Sequence, residues 1–177
     1  LIISFHQSST YFQVKKSKKK IKRSKIFHKN LFLPGSKLNF GENLLSKNTN
    51  EKAITFVSEN GYREERSWKQ LNINVASLVQ FFNEIKIVKS DRIAAYMPNC
   101  IETVEAFIAT SSVGGIWSSC SPDFGVRGLV ERFSQIKPKL LFITDQYFYN
   151  GKQINIIERL PEILKLIPSI KNVVIIN

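Results

Sequence analysis

The stretch I-W-S-S-C-S-P-D-F-G, Ile116 to Gly125, lies between two segments with helical periodicity. Ile116 to Ser119 reads as a short strand, Ser121-Pro122-Asp123 as a junction, and Phe124 to Ile136 as the helix that follows. Three serines, a cysteine and a tryptophan are a poor composition for a strand that only fills a core. Small hydroxyl residues beside one large aromatic suit a strand end that approaches a ligand or another backbone.

The segments on either side repeat the same alternation. Upstream, R-I-A-A-Y (Arg92 to Tyr96) reads as a buried strand. Pro98-Asn99 restarts a helix, with Asn99 as its cap, Glu102 at its third position and Gly114-Gly115 as its stop. Val104, Phe107, Ile108 and Ser111 mark one face of that helix. Earlier still, Ser67 and Gln70 form a capping box, and Leu71, Val75, Leu78, Val79 and Phe82 share a helical face. Downstream, K-L-L-F-I-T (Lys139 to Thr144) is a short apolar strand. Gln153 to Ile167 reads as helix, broken or kinked at Pro161, and Val173 to Ile176 as strand. From Ser67 onward the order is α-β-α-β-α-β-α-β, with short connections. That order predicts an α/β fold, a mainly parallel sheet flanked by helices with right-handed crossovers. A buried parallel strand needs neighbours, so V-V-I-I-N at the end of the chain leads us to expect more sheet in sequence beyond Asn177. The first residue, Leu rather than Met, fits a partial reading frame.

Three regions follow. Residues 1–30 form a basic, poorly structured head, residues 31–66 a linker motif and β-hairpin, and residues 67–177 an incomplete α/β portion. In the middle region Pro34-Gly35 signals a turn, and Asn60-Gly61 between the β-prone runs Ala53 to Val57 and Tyr62 to Arg66 signals a hairpin.

The net charge of +12 raises the question of a nucleic-acid partner. Its distribution argues against one. Ten of the 26 basic residues fall between Lys15 and Lys37, a span without acids, so the remainder nearly balances the 14 acidic residues. The run from Lys15 to Lys25 is rich in Lys, has no interleaved aromatics and matches no nucleic-acid reading module. No apolar run reaches the roughly 18 residues that a membrane helix needs, and Cys100 and Cys120 give neither a disulfide framework nor metal spacing. A cytoplasmic protein with reduced thiols is expected.

Taken together, these motifs resemble the amino-terminal part of acetoacetyl-CoA synthetases, within the adenylate-forming acyl-CoA synthetases. The resemblance is carried by P-G-S-K-L-N-F-G-E-N-L-L (Pro34 to Leu45), S-W-K-Q-L (Ser67 to Leu71) and D-R-I-A-A-Y-M-P-N-C-I-E (Asp91 to Glu102). It continues through G-G-I-W-S-S-C-S-P-D-F-G (Gly114 to Gly125), R-F-S-Q-I-K-P-K-L-L-F (Arg132 to Phe142) and D-Q-Y-F-Y-N-G-K (Asp145 to Lys152). It implies two half-reactions. A carboxylate attacks the α-phosphorus of ATP-Mg, giving acyl-adenylate and diphosphate. The thiol of CoA then attacks the activated carbonyl and releases AMP. Acetoacetate, ATP, Mg2+ and CoA are the implied substrates and cofactors, and the carboxy-terminal portion of the same protein is the implied partner. The first half-reaction needs a Gly/Ser/Thr-rich loop with a lysine to meet phosphate charge. Ser111 to Gly115 comes nearest in this chain but has no Thr-Gly-x-x-Lys-like continuation, and no G-x-G-x-x-G occurs. No catalytic residue and no metal ligand is therefore assigned, and the chain alone is expected to be inactive.

Within that resemblance, Trp117, Ser118 and Ser119 are candidates for a substrate-pocket wall, against the plainer reading of a strand packed under a helix. Pro122, Asp123 and Phe124 fall where the CoA nucleotide approaches, with helix capping by Asp123 as the competing role. Tyr149 and Lys152 stand in a loop whose basic residues meet CoA phosphates in the family, Tyr149 replacing a second cation. Cys100, Cys120, His6 and His28 are expected to be non-catalytic, Glu102 and Glu105 to be helix-surface carboxylates, and Trp68 to be a packing anchor. Two other readings stay open: another short-chain acyl-CoA synthetase, or a non-catalytic remnant whose run 15–25 binds anionic surfaces or nucleic acid.

Overall fold

A computed structural model describes residues 18–177. The expectation for residues 1–17, including the start of the basic run, lies outside the described residues. The remaining lysines of that run are exposed. Near them β1 (Ile21–Lys22) pairs antiparallel with β2 (Leu31–Phe32).

Next come α1 (Phe40–Leu44), β3 (Lys52–Val57) and β4 (Arg63–Ser67). The last two form the expected hairpin, turning at Gly61 with φ of 81°. Ser67 then caps α2 (Trp68–Glu84), and the capping box with Gln70 is complete. The predicted face of α2 is the face that packs: Leu71, Val75 and Phe82 are buried, and Leu78 and Val79 lie against them.

The alternating part follows as β5 (Arg92–Tyr96), α3 (Ile101–Ser112), β6 (Ile116–Cys120), α4 (Val126–Ile136) and β7 (Leu140–Thr144). It continues through a hairpin, β8 (Gln146–Tyr149) and β9 (Lys152–Asn155), into α5 (Leu160–Leu166) and β10 (Asn172–Ile176). Four strands form one parallel sheet in the order β10-β7-β5-β6, as the alternation predicts.

The pleat divides the core in two, because successive strand side chains point to opposite faces. Ile93, Ala95, Leu140 and Phe142 pack with Phe82 and Ile108 beneath α2 and α3. Ala94, Tyr96, Leu141 and Ile143 pack with Leu129, Phe133 and Ile163 beneath α4 and α5. Both faces of β5 and β7 are thus covered, which explains why they read as continuous apolar runs.

Four local expectations need correcting. Cys100, not Asn99, occupies the cap position of α3, and its side chain makes no capping bond; Thr103 Oγ1 instead bonds the Pro98 carbonyl at 2.7 Å. Val104 is 37% exposed and belongs to neither core cluster, so it is at the margin of the packed face of α3. Gln153 to Asn155 is strand, since it pairs with β8, and the helix starts only at Leu160. Pro161 lies in the first turn of that helix, where its missing N–H has no intrahelical partner to lose, so it starts the helix rather than kinking it.

Candidate functional site

The order β10-β7-β5-β6 puts a reversal of winding at β5. The chain passes from β5 to β6 on one side, then crosses back to β7 on the other. Accordingly α3 covers one face of the sheet and α5 the other. In open parallel sheets ligands favour the crevice outside the carboxyl ends of the strands at such a point. Here that rim carries Tyr96, the Ser121–Phe124 turn and Asp145.

Tyr96, the last residue of β5, is fully buried, yet its hydroxyl reaches the turn after β6. Tyr96 Oη lies 2.6 Å from the Phe124 carbonyl, which accepts its proton, and 3.0 Å from the carbonyl of Pro122. Arg159 donates from Nη1 to Tyr96 Oη and, at 3.1 Å, to the same Pro122 carbonyl. Burial pushes the Tyr96 phenol above its usual range, an effect that the Arg159 cation opposes.

Asp123 is held from two directions. Ser121 Oγ donates to Oδ2 at 2.8 Å, and Tyr147 Oη donates to Oδ1 at 2.9 Å. Burial, then the bond to the Asp123 carboxylate, pushes Tyr147 up to about 12. The cap position of α4 falls to Gly125, which offers no side chain. Asp123 therefore does not cap the helix, because its carboxylate is spent on Ser121 and Tyr147. The Phe124 ring is stacked by the Arg132 guanidinium, 4.4 Å from its centroid.

Tyr147 comes from the β8–β9 hairpin, which leaves the sheet at Asp145. Its two ends are cinched where the amides of Ile156 and Ile157 donate to the Asp145 carbonyl at 2.9 and 3.1 Å. The hairpin turns at Asn150 and Gly151, both with positive φ of 50° and 70°. That turn pairs Tyr149 with Lys152, and Lys152 is exposed. The Gly151 amide also donates to Glu59 Oε2 at 3.3 Å, so the tips of the two hairpins meet.

The structure thus brings Pro122, Asp123 and Phe124 together with the hairpin that carries Tyr149 and Lys152. Trp117 lies elsewhere. Its ring packs edge-on to Phe107 at 6.1 Å and tilted to Phe142 at 6.2 Å, within the core under α3. Ser118 alternates to the opposite face from Trp117. Ser119 lines a cavity of about 100 Å³ with Met97, Asn99, Thr103, Cys120 and Ser121. Sequence reasoning missed Tyr147, Arg159 and the Tyr96 hydroxyl. The Asn150-Gly151 pair, a hairpin dipeptide, was the available signal for the first of these.

The two thiols are free. Cys120 is buried and Cys100 half-buried, and burial raises the pKa of each. Glu105 is not a helix-surface carboxylate. It is 5% exposed and accepts from Asn74 Nδ2 at 2.8 Å, with Arg66 Nε at 3.4 Å. Among the described residues, no three His, Cys, Asp or Glu side chains are grouped to hold a metal ion, and no helix is long and apolar enough to cross a membrane.

Comparison with known proteins bears on this rim. The acetoacetyl-CoA synthetase of Xenopus tropicalis is 42% identical over 144 residues, covering 80% of this chain and 21% of that protein. The acetoacetyl-coenzyme A synthetase of Rhizobium meliloti is 43% identical over 134 residues, covering 76% and 21%. The solved acetoacetyl-CoA synthetase of Streptomyces lividans superposes with a TM-score of 0.82 at 30% identity, over 93% of this chain and 26% of that one. The chain spans about a fifth of the length of the curated relatives it matches. The profile of the family described as AMP-binding enzyme matches residues 44–177. With that match over most of its length, the chain belongs to the AMP-binding enzyme family.

Proposed function

We propose that this chain supplies the CoA-facing rim of an enzyme that ligates acetoacetate to CoA at the expense of ATP. The observation that carries the reading is the joining of the Ser121–Phe124 turn to the β8–β9 hairpin through the Tyr147–Asp123 bond. It stands at the reversal point of a sheet similar to that of acetoacetyl-CoA synthetases. In this reading Lys152 offers an exposed cation to a CoA phosphate. Pro122, Asp123 and Phe124 form the floor, while Tyr149 gives an aromatic edge in place of a second cation. Ser119 lines the small cavity behind the turn, whereas the Trp117 ring is committed to the core under α3 and Ser118 faces the other side of the strand, so neither is given a part in the acyl path.

The reaction balances as two displacements. The acetoacetate carboxylate bonds to the α-phosphorus as diphosphate leaves. The CoA sulfur then bonds to the acyl carbon as AMP leaves, with loss of the thiol proton. The second step is the one this rim serves, by holding the CoA nucleotide so that the thiol meets the acyl-adenylate. ATP is met by a phosphate loop that this sequence does not contain, and Mg2+ belongs with that loop. No step is assigned to either through the residues described. Two free thiols suit a reducing, cytoplasmic setting.

The test is ATP–diphosphate exchange by the complete protein that contains this chain, with acetoacetate, acetate and propionate in parallel. Acetoacetate should drive the fastest exchange, followed by CoA-dependent release of AMP. Faster exchange with acetate or propionate would replace the acyl assignment, and no exchange with any acid would remove the ligase reading.

A further inference from the structure

Arg159 has no part in the reading so far, and its bonding is unusual for a half-buried guanidinium. It lies at the end of the short 3-10 turn Ile157–Arg159, just after the hairpin has returned to Asp145. Its recorded bonds go to neutral oxygens, Tyr96 Oη and the Pro122 carbonyl. Among the described residues no carboxylate forms an ion pair with it. Arginine is expensive to desolvate, and here one nitrogen, Nη1, serves both acceptors, its two N–H groups held in the fixed plane of the guanidinium. The two acceptors come from separate places, the end of β5 and the turn after β6, and the donor comes from a third, the segment that closes the β8–β9 hairpin.

From this geometry we infer that Arg159 is a positioning residue for CoA. It locks the Pro122–Phe124 turn to the hairpin that carries Tyr149 and Lys152, so that floor and cation are presented in one fixed relation. The inference rests on the CoA reading given above. Tyr147 supplies the second strut, through Asp123, and the two struts reach the same turn from the first strand of the hairpin and from the segment just after it. Neither side chain touches the acyl group or the thiol in this scheme. Arg159 acts through the turn.

The experiment uses the complete protein that contains this chain, with Arg159→Met, Arg159→Lys and Tyr147→Phe. Two rates are read: acetoacetate-dependent ATP–diphosphate exchange, which precedes CoA, and thioester formation against CoA concentration. Loss of a charged hydrogen bond at the turn should raise the KM for CoA about tenfold in Arg159→Met, with exchange within about twofold of the parent. Arg159→Lys keeps the charge on a single nitrogen that is not held in the guanidinium plane, and should recover part of that loss. Tyr147→Phe, a milder change that keeps the fold, should raise the same KM by a few-fold. An unchanged KM for CoA in both Arg159→Met and Tyr147→Phe overturns the inference. So does an equal fall in exchange and thioester formation, which marks a residue that merely holds the fold. Absence of exchange in the parent protein overturns the ligase reading itself, and the two failures are thereby told apart.

Discussion

Two arginines tie hairpins to the body of this molecule, and they do it with opposite chemistry. Arg66, at the end of the β3–β4 hairpin, bonds Glu64, reaches Glu102 at 3.2 Å and reaches Glu105 at 3.4 Å. Arg159, at the root of the β8–β9 hairpin, is bonded to a phenol and a carbonyl. The first cation is more than neutralised by its neighbours. The second has only neutral acceptors as its hydrogen-bond partners, at the rim where CoA is proposed to arrive. One draws carboxylates from two elements together, and the other holds a turn by its backbone carbonyl.

The largest test of that contrast is stability. Arg66→Met leaves Glu105 buried with Asn74 as its remaining strong partner, and unfolding in urea should show a loss of about 3 kcal/mol. Arg159→Met leaves only neutral acceptors behind and should cost about 1 kcal/mol. Equal losses would break the comparison.

A finer test is pH. Burial pushes Glu105 above the ordinary glutamate range, although Asn74 and Arg66 pull the other way. The folded state then holds the proton more tightly than the unfolded state does. The stability this contributes is full below the ordinary glutamate value and is lost as pH rises through the raised one. Glu105→Gln cannot titrate, so its stability should lack that fall between acidic and neutral pH. Parallel pH profiles for the two proteins would show that the Arg66 cluster cancels the burial cost outright.

The hairpin tips are next in size. Gly61 and Gly151 both have positive φ, and an added methyl would meet nothing within 4 Å at either place. Alanine at either position should therefore cost only backbone strain, about 1 kcal/mol. A larger loss for Gly151→Ala, measured by thermal melting, would mean that the contact with Glu59 depends on that backbone shape. The smallest effect is spectroscopic. Asp123→Asn should bring Tyr147 down from about 12 but leave it above a free phenol, since burial is the larger cause. Tyrosinate absorbance during alkaline titration reads this directly, and an unchanged value would place Tyr147 outside the reach of Asp123.

Much of this was legible in the sequence wherever period and turn chemistry agreed. The capping box at Ser67, the face of α2 and the runs around β5 and β7 each signal locally what the fold then uses. The family resemblance rested on strings of this kind, and the match over residues 44–177 bears it out. What escaped depends on contacts distant in sequence. Glu105 looks like any exposed helix carboxylate until Arg66 and Asn74 arrive from other elements. Tyr96 reads as core, and it is core, but its hydroxyl serves a turn 26 residues away. Residues 153–155 read as helix because isoleucine periodicity in so short a stretch fits either period, and the pairing with β8 decided it. Trp117 was singled out for its odd company, yet its ring joins an aromatic core between Phe107 and Phe142.

Cys120 ends β6 as a buried residue, 4% exposed, one residue before the turn that Arg159 grips. Burial also keeps the Cys120 thiol in its unreactive, protonated form. A thiol-directed reagent can then modify it only in molecules whose rim has opened, so alkylation of Cys120 becomes a clock for the opening. The half-buried Cys100 on the same chain would be the faster hand of that clock.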